Sequence, residues 1–249
     1  MKIKYEKNGD KRVGTFNKLI ESKFPKFLDE RNPDLYLVAG GDGAMLHVIN
    51  KTIDSHIPYF GKALGSFNFL LNNFDNDEEI LNKLIKDEIK LDILKPFTLS
   101  VYLNEKKIGE AVNDIVIGDN IMDYHTFNIT TQGKELNNFE IKGGGICIST
   151  PIGSTAYNFN NNGRILPLES SLISITGIVC NRYLNDIFPV QEIKITGNGG
   201  DIYLSNVISG KLTVGKELII KRGEGVEIGF LNKDEFLKRR TEILHRYRK

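Results

Sequence analysis

The stretch "VAGGDGAML", residues 38–46, sets one carboxylate, Asp42, among three glycines, Gly40, Gly41 and Gly43, directly after an apolar run. Glycine permits positive φ and lets another molecule approach bare backbone. A strand that ends in such a turn and passes into a helix points unpaired backbone N–H groups outward, which is the chemistry of a phosphate site. A carboxylate beside phosphates has two uses: it holds Mg²⁺, or it accepts the proton of a hydroxyl that attacks phosphorus. The same residues also fit a plain type I′ or II turn carrying a solvated aspartate. No G-x-x-x-x-G-K followed by Ser or Thr occurs, and no full G-x-G-x-x-G, so neither standard phosphate-loop fingerprint is present.

Two later stretches carry further polar groups. "GGGICISTPIGSTAYNFNNNG", residues 143–163, reads as a strand followed by a loop bearing Ser149, Thr150, Ser154, Thr155 and Tyr157. Such a loop offers hydroxyls, backbone amides and an aromatic ring to a nucleotide, or forms a polar hairpin. Upstream, "AVNDIVI" places Asn113 and Asp114 side by side among apolar residues. A strand alternates its faces, so one of the pair is expected to point inward, where it needs a hydrogen-bond network or a ligand.

The elements that must position these residues fall into two textures. Up to about Leu94, short apolar runs alternate with helical patterns: "DLYLVAG" as a buried strand, "GAMLHVINK" as a helix with Met45, Leu46 and Ile49 on one face, and "IPYFG" as a second strand. "DNDEEILNKLIKDE" follows as a helix whose opening acids, Asp75 and Asp77, suit its positive end. That alternation predicts an α/β domain with a Rossmann-like parallel sheet over residues 1–95. From about Phe97, short strands succeed one another between Gly and Asn turns, predicting an all-β, sandwich-like domain over 96–229. Residues 230–249 read as a charged amphipathic helix, with Phe236 and Ile243 on its apolar face and "KRR", Lys238–Arg240, on a solvated one.

The net charge of +1 gives no bulk attraction to nucleic acid or to a membrane surface. No apolar run approaches the ~20 residues of a membrane span. Cys147 and Cys180 form neither a disulfide framework nor a zinc spacing, which suits a reducing cytoplasm, and Cys147 reads as core. His47, His56, His125 and His245 lack metal-ligand spacing.

"GGDG" at 40–43, "AVNDIVI" at 111–117 and "STPIGSTAY" at 149–157, in that order and separation, resemble the NAD kinase family. The first motif is shared with lipid kinases and phosphofructokinases; the third is far more specific. The resemblance implies an α/β domain, a β-rich NAD-binding domain and a final helix packing back on the first. It implies transfer of a phosphoryl group from ATP or polyphosphate to the adenosine-side ribose 2′-hydroxyl of NAD, giving NADP. It further implies a divalent cation, Mg²⁺, and a homodimer or homotetramer. Carried over by motif, Asp42 is the catalytic carboxylate, and Gly41 and Gly43 shape its turn. Asn113 and Asp114 match the pair that holds the adenosine end. Thr155, Ala156 and Tyr157 line the nucleotide pocket, and Phe69 matches an aromatic residue at its edge. No residue is assigned as a protein-only metal ligand.

The chain departs from the family pattern at Ala44, where Thr is usual, at Ala63 for Asn, at Asn68 for Gly, and at Asn206, where an acid is common. The largest departure is Gly144, where the family carries an aspartate that contacts the nicotinamide half. Asn tolerates left-handed backbone, so the turn at Asn68 is expected to survive. Two alternatives stay open: a nucleotide-binding sensor of the same fold without turnover, and a lipid-type kinase sharing the glycine turn. The polar "STPIGSTAYN" loop argues against an apolar acceptor cleft.

Overall fold

The computed structural model describes residues 1–7, 10–65, 68–119, 123–131, 134–135, 141–181 and 184–247. The chain forms two compact units. One joins Met1–Lys95 to Val226–Lys249, and the other is Pro96–Gly225.

The first unit opens with β1 (Ile3–Tyr5), α1 (Gly14–Lys23), β2 (Leu35–Gly40), α2 (Asp42–Thr52), β3 (Tyr59–Ala63), α3 (Asp77–Ile85) and β4 (Asp92–Leu94). All six residues of β2 are buried, as a strand covered on both faces requires. β1, β2 and β3 pair in parallel in that order. Met45, Val48 and Ile49 form the buried stripe of α2, so Val48 and not Leu46 completes it. The start of α3 is fixed by Asn76, whose side chain accepts the Glu79 N–H at 3.1 Å and donates to the Glu79 carboxylate at 3.0 Å.

The second unit contains β5 (Leu99–Leu103), β6 (Lys106–Ala111), β7 (Asp114–Gly118), β8 (His125–Thr131), β9 (Lys134–Glu135), β10 (Ile141–Ser149), α4 (Tyr157–Asn160), β11 (Leu172–Cys180), β12 (Asn185–Pro189), β13 (Ile193–Gly197), β14 (Asp201–Leu204), β15 (Val207–Lys211) and β16 (Glu217–Arg222). The twelve strands make one antiparallel sheet, whose main path runs β15-β14-β7-β10-β8-β13-β16-β5-β6. β6 lies alongside β14 and β15, so the sheet is nearly closed. Ile115, Ile117, Ile146, Ile148, Ile173 and Ile175 point to its apolar core.

The opposite face of β7, β10, β11 and β12 is polar and also buried. Register sets Asp114, Ser149 and Ser174 in one row and Cys147, Thr176 and Asn185 in the next. Cys147 is buried as expected, and burial pushes its thiol well above the ordinary range.

The chain then returns to the first unit through β17 (Ile228–Phe230) and α5 (Lys233–Tyr247). β17 inserts between β3, to which it is parallel, and β4, to which it is antiparallel. The first sheet is therefore mixed, although mostly parallel. Its last strand comes from a run that the sequence pattern groups with the β-rich half. Phe236 of α5 stacks on Phe230 with ring centroids 3.9 Å apart. The Ile243 side chain lies outside the described residues.

Candidate functional site

In the first unit, β2 ends at Gly40 with φ 146°, a conformation that only glycine adopts readily. Gly41, at φ −114° and ψ −177°, precedes α2, and Asp42 is the first helical residue. Neither Gly41 nor Gly43 has a positive φ, and a Cβ at either would meet nothing within 4 Å. Among the described residues nothing requires their lack of a side chain, which leaves backbone open to an external group.

Asp42 is half-buried and held at both oxygens: Phe69 N–H donates to Oδ2 at 2.9 Å and Leu70 N–H to Oδ1 at 2.8 Å. The loop that supplies these amides turns at Asn68, which stands at φ 56°, the left-handed conformation expected of it. Burial raises the Asp42 carboxyl above its ordinary value, against the lowering effects of the two amides and of Arg240 and Arg239.

Those arginines correct the reading of Lys238–Arg240 as a solvated face. Arg240 is only 4% exposed. Its Nη1 donates to the Phe69 carbonyl at 3.2 Å, and its guanidinium lies 5.5 Å from the Phe69 ring centre. Arg239 Nη2 donates to the carbonyls of Asn68, at 3.2 Å, and Leu71, at 2.8 Å. The signal for Arg240 was its place four residues after Phe236, on the same helix face.

In the second unit, Asn113 and Asp114 are both buried, at 9% and 4% exposure, where strict alternation expects one inward side chain. The run "KKIGEAVNDIVIG" is two strands, β6 and β7, and the chain bends at Val112–Asn113 between them. Two of the contacts that hold the bend meet at one oxygen. The Asn113 carbonyl accepts the Thr150 N–H at 2.9 Å, and Gly153 presses so close that its Cβ would lie 2.1 Å from the same oxygen.

Three hydroxyls of the 149–157 loop that the sequence offers to a ligand are instead structural. Ser149, Thr150 and Ser154 are fully buried. Thr150 donates to the Val112 carbonyl at 2.7 Å and accepts the Gly153 N–H at 3.2 Å. Ser154 donates to the Pro151 carbonyl at 2.8 Å and accepts the Leu166 N–H at 3.0 Å. Thr155 remains half-buried, with its hydroxyl 3.3 Å from the Ile152 carbonyl. Ala156 is half-buried beside it, in an irregular conformation at φ −105° and ψ −120°, and Tyr157 is exposed.

Asn113 Oδ1 is buried without a hydrogen-bond partner. The Asp114 carboxyl is pushed up to about 6 by burial alone. Ser174 Oγ, on the same polar face as Asp114, is also buried and, among the described residues, unpartnered, and sequence reasoning missed it. Buried polar groups without partners are costly, on the order of 1–3 kcal/mol each, so a cluster of them fits groups kept for a ligand. Gly144, where the resembling family has an acid, is a buried residue of β10.

No family model matches the chain. An NAD kinase of Rickettsia bellii (strain OSU 85-389) is 34% identical over 158 residues, covering 63% of this chain and 60% of that protein. An NAD kinase of Rickettsia rickettsii (strain Sheila Smith) is 35% identical over 147 residues, 58% of this chain and 56% of that protein. The matched segment thus spans about three fifths of these relatives' own length. Among solved structures, yeast NADH kinase complexed with NADH aligns with a TM-score of 0.80 at 18% identity, over 98% of this chain and 87% of that one. An NAD kinase from Archaeoglobus fulgidus in complex with ATP aligns with a TM-score of 0.72 at 17% identity, over 98% and 97%. At those identities the structural likeness establishes the fold.

Proposed function

Because the chain belongs to the NAD kinase family, we propose that it transfers a phosphoryl group from ATP or polyphosphate to the adenosine-side ribose 2′-hydroxyl of NAD, giving NADP. The observation that carries this reading is Asp42: a carboxylate fixed at both oxygens, at the start of a helix, beside two glycines that nothing among the described residues crowds.

In this reading the N–H groups of the turn and of the first residues of α2 face the donor's phosphate oxygens. Asp42 accepts a hydrogen bond from the 2′-hydroxyl, aims it at phosphorus and takes its proton late, since a loose transition state asks little of a base. Asn113 and Asp114 hold the adenosine end, Thr155, Ala156 and Tyr157 line the pocket, and Phe69 borders it.

A divalent cation, Mg²⁺, supplies neutralisation of the donor's charge when bound. Among the described residues no three His, Cys, Asp or Glu side chains gather as an ion-holding group. One carboxylate, Asp42, suits an ion that arrives with phosphates, because Mg²⁺ commonly takes one or two carboxylates plus substrate oxygens. The proposal extends to a cytoplasmic homodimer or homotetramer. No helix of the described residues is long and apolar enough to cross a membrane.

The test is an assay of the purified protein with NAD, ATP and Mg²⁺, reading NADP through a coupled dehydrogenase, with polyphosphate and NADH as alternative donor and acceptor. NADP or NADPH formation supports the reading. Folded protein that binds NAD yet forms neither product under any of these conditions overturns it in favour of the sensor.

Gly43→Ala gives a sharper check of the open backbone. Its φ and surroundings accept a methyl group, and alanine is favoured over glycine in a helix by roughly 0.5–1 kcal/mol. Thermal stability should hold or rise, while kcat/KM for the phosphoryl donor falls by about tenfold or more, the equivalent of 1.4 kcal/mol. Unchanged kinetics would mean that no ligand approaches this glycine.

A further inference from the structure

Among the described residues, the C-terminal helix reaches the loop that holds Asp42 through hydrogen bonds to three backbone carbonyls. Arg239 takes those of Asn68 and Leu71, and Arg240 takes that of Phe69. The Phe69–Leu70 peptide is therefore gripped from both ends, its N–H, that of Leu70, by the Asp42 carboxylate and its carbonyl, that of Phe69, by the Arg240 guanidinium; the Asn68–Phe69 peptide is gripped likewise by Asp42 and Arg239. An anion and a cation on opposite ends of one peptide unit each strengthen the other's hydrogen bond.

We infer that Arg240, with Arg239 beside it, is a positioning residue for the phosphoryl-transfer step, fixing Asp42 through the Phe69–Leu70 amides without touching either substrate. The inference rests on the reading of Asp42 as the carboxylate that orients the acceptor hydroxyl. A buried arginine is poorly explained by packing alone, because taking its charge out of water is costly unless an opposite charge answers it. Burial lowers the pKa of Arg240, and Asp42 is the one charge that acts against that lowering. Arg240 and Arg239, both from α5, are the charged groups that act on Asp42. Among the cations of neighbouring elements, Arg12 is held by Asp10, and Lys62 of β3 by Asp77 at 2.9 Å.

Arg240→Met keeps the aliphatic bulk and removes both the grip and the charge. Its kcat should fall by about 10–100-fold, the scale on which a misplacement of about 1 Å acts. The KM for NAD should stay within about threefold, and the acid limb of the pH–kcat profile should move to higher pH. Arg240→Lys should restore the acid limb and part of kcat.

A carboxyl ¹³C titration of Asp42, assigned with Asp42→Asn, reads the same coupling without catalysis. The Asp42 midpoint should rise in Arg240→Met and return in Arg240→Lys. Arg240→Gln, which keeps a shorter polar side chain and removes the charge, should raise the midpoint as well, and it replaces Arg240→Met if that variant does not fold. An Asp42 midpoint unmoved in the neutral variants overturns the inference. If the wild type forms no NADP, the kinase reading fails, while the titration still decides the coupling of Arg240 to Asp42.

Discussion

Asp42→Asn is expected to lower kcat for NADP formation by on the order of 10²–10⁴-fold while leaving NAD affinity within a few-fold. The expectation follows from what the two oxygens of Asp42 do. Each already accepts a backbone N–H, from Phe69 and Leu70, so the carboxylate arrives at the reaction with its plane fixed. Orientation at that stage is worth more than basicity, because the hydroxyl proton leaves late. Asparagine offers one acceptor and one NH₂ where the loop presents two N–H donors. One of the two amides is then left facing a donor, at a cost of about 1 kcal/mol or more.

The variant is thus expected to unfold at a slightly lower urea concentration, while its kinetic loss is far larger than that change accounts for. Steady-state kinetics beside calorimetric NAD binding separates the two effects. A fall in kcat of less than tenfold would take Asp42 out of the chemistry. Because burial raises the Asp42 carboxyl, wild-type kcat should fall on the acid side at a higher pH than an exposed aspartate would give.

Asp114→Asn is the second large effect, and its two parts have opposite signs. Nucleotide binding should weaken by about 10–100-fold, since hydrogen bonds to a charged group contribute roughly 1.5–3 kcal/mol. Folding should become more favourable at neutral pH. The Asp114 carboxyl stands at about 6 in the fold against 3.8 ordinarily, raised by burial. Below pH ~4 it is protonated in both the folded and the unfolded chain, and its ionisation does not affect stability. Between ~4 and ~6 the folded chain keeps a proton that the unfolded chain has lost, so stability falls as pH rises. Above ~6 the cost levels off at about 3 kcal/mol.

The stability of Asp114→Asn relative to wild type should therefore improve by about that amount between pH 4 and pH 8. Urea unfolding at the two pH values measures it. An equal difference at both would mean that Asp114 carries no buried charge. The same ionisation predicts that NAD binds more weakly as pH falls below ~6, because a protonated Asp114 accepts one hydrogen bond fewer.

Much of the first unit is legible from residues 35–52, where an apolar run, a glycine cluster and a helical stripe follow one another. Those patterns are local, and so are the forces that produce β2, the turn and α2. The role of Asp42 as an acceptor for Phe69 and Leu70 is not legible, because nothing within the turn marks residues 27 and 28 positions away as partners. Arg240 was misread for the opposite reason: a positive charge ordinarily signals solvent, and its burial depends on carbonyls that the sequence does not display.

In the second unit, alternation expects one inward residue at 113–114. Both turn in because Gly153, forty residues on, presses on the chain there and a bend replaces a continuous strand. Ser149, Thr150 and Ser154 look like ligand groups in the sequence, and the backbone uses them because the loop is sealed from water.

The return of the chain through β17 and α5 has a meaning in the order of synthesis. Residues 96–225 form a continuous unit whose synthesis is finished before Val226 is added. The unit holding Asp42 is begun first and finished last, since β17 fills the place between β3 and β4. Only at Arg239 and Arg240 of α5 does the loop around Asp42 gain these carbonyl hydrogen bonds. Domains generally fold as they emerge, from the N-terminus onward, and here the unit that holds Asp42 must wait for segments that follow the second unit. A nascent chain short of α5 carries the whole glycine turn yet lacks the clamp on the Phe69–Leu70 amides, so on the proposed reading Asp42 is not yet held in place for phosphoryl transfer.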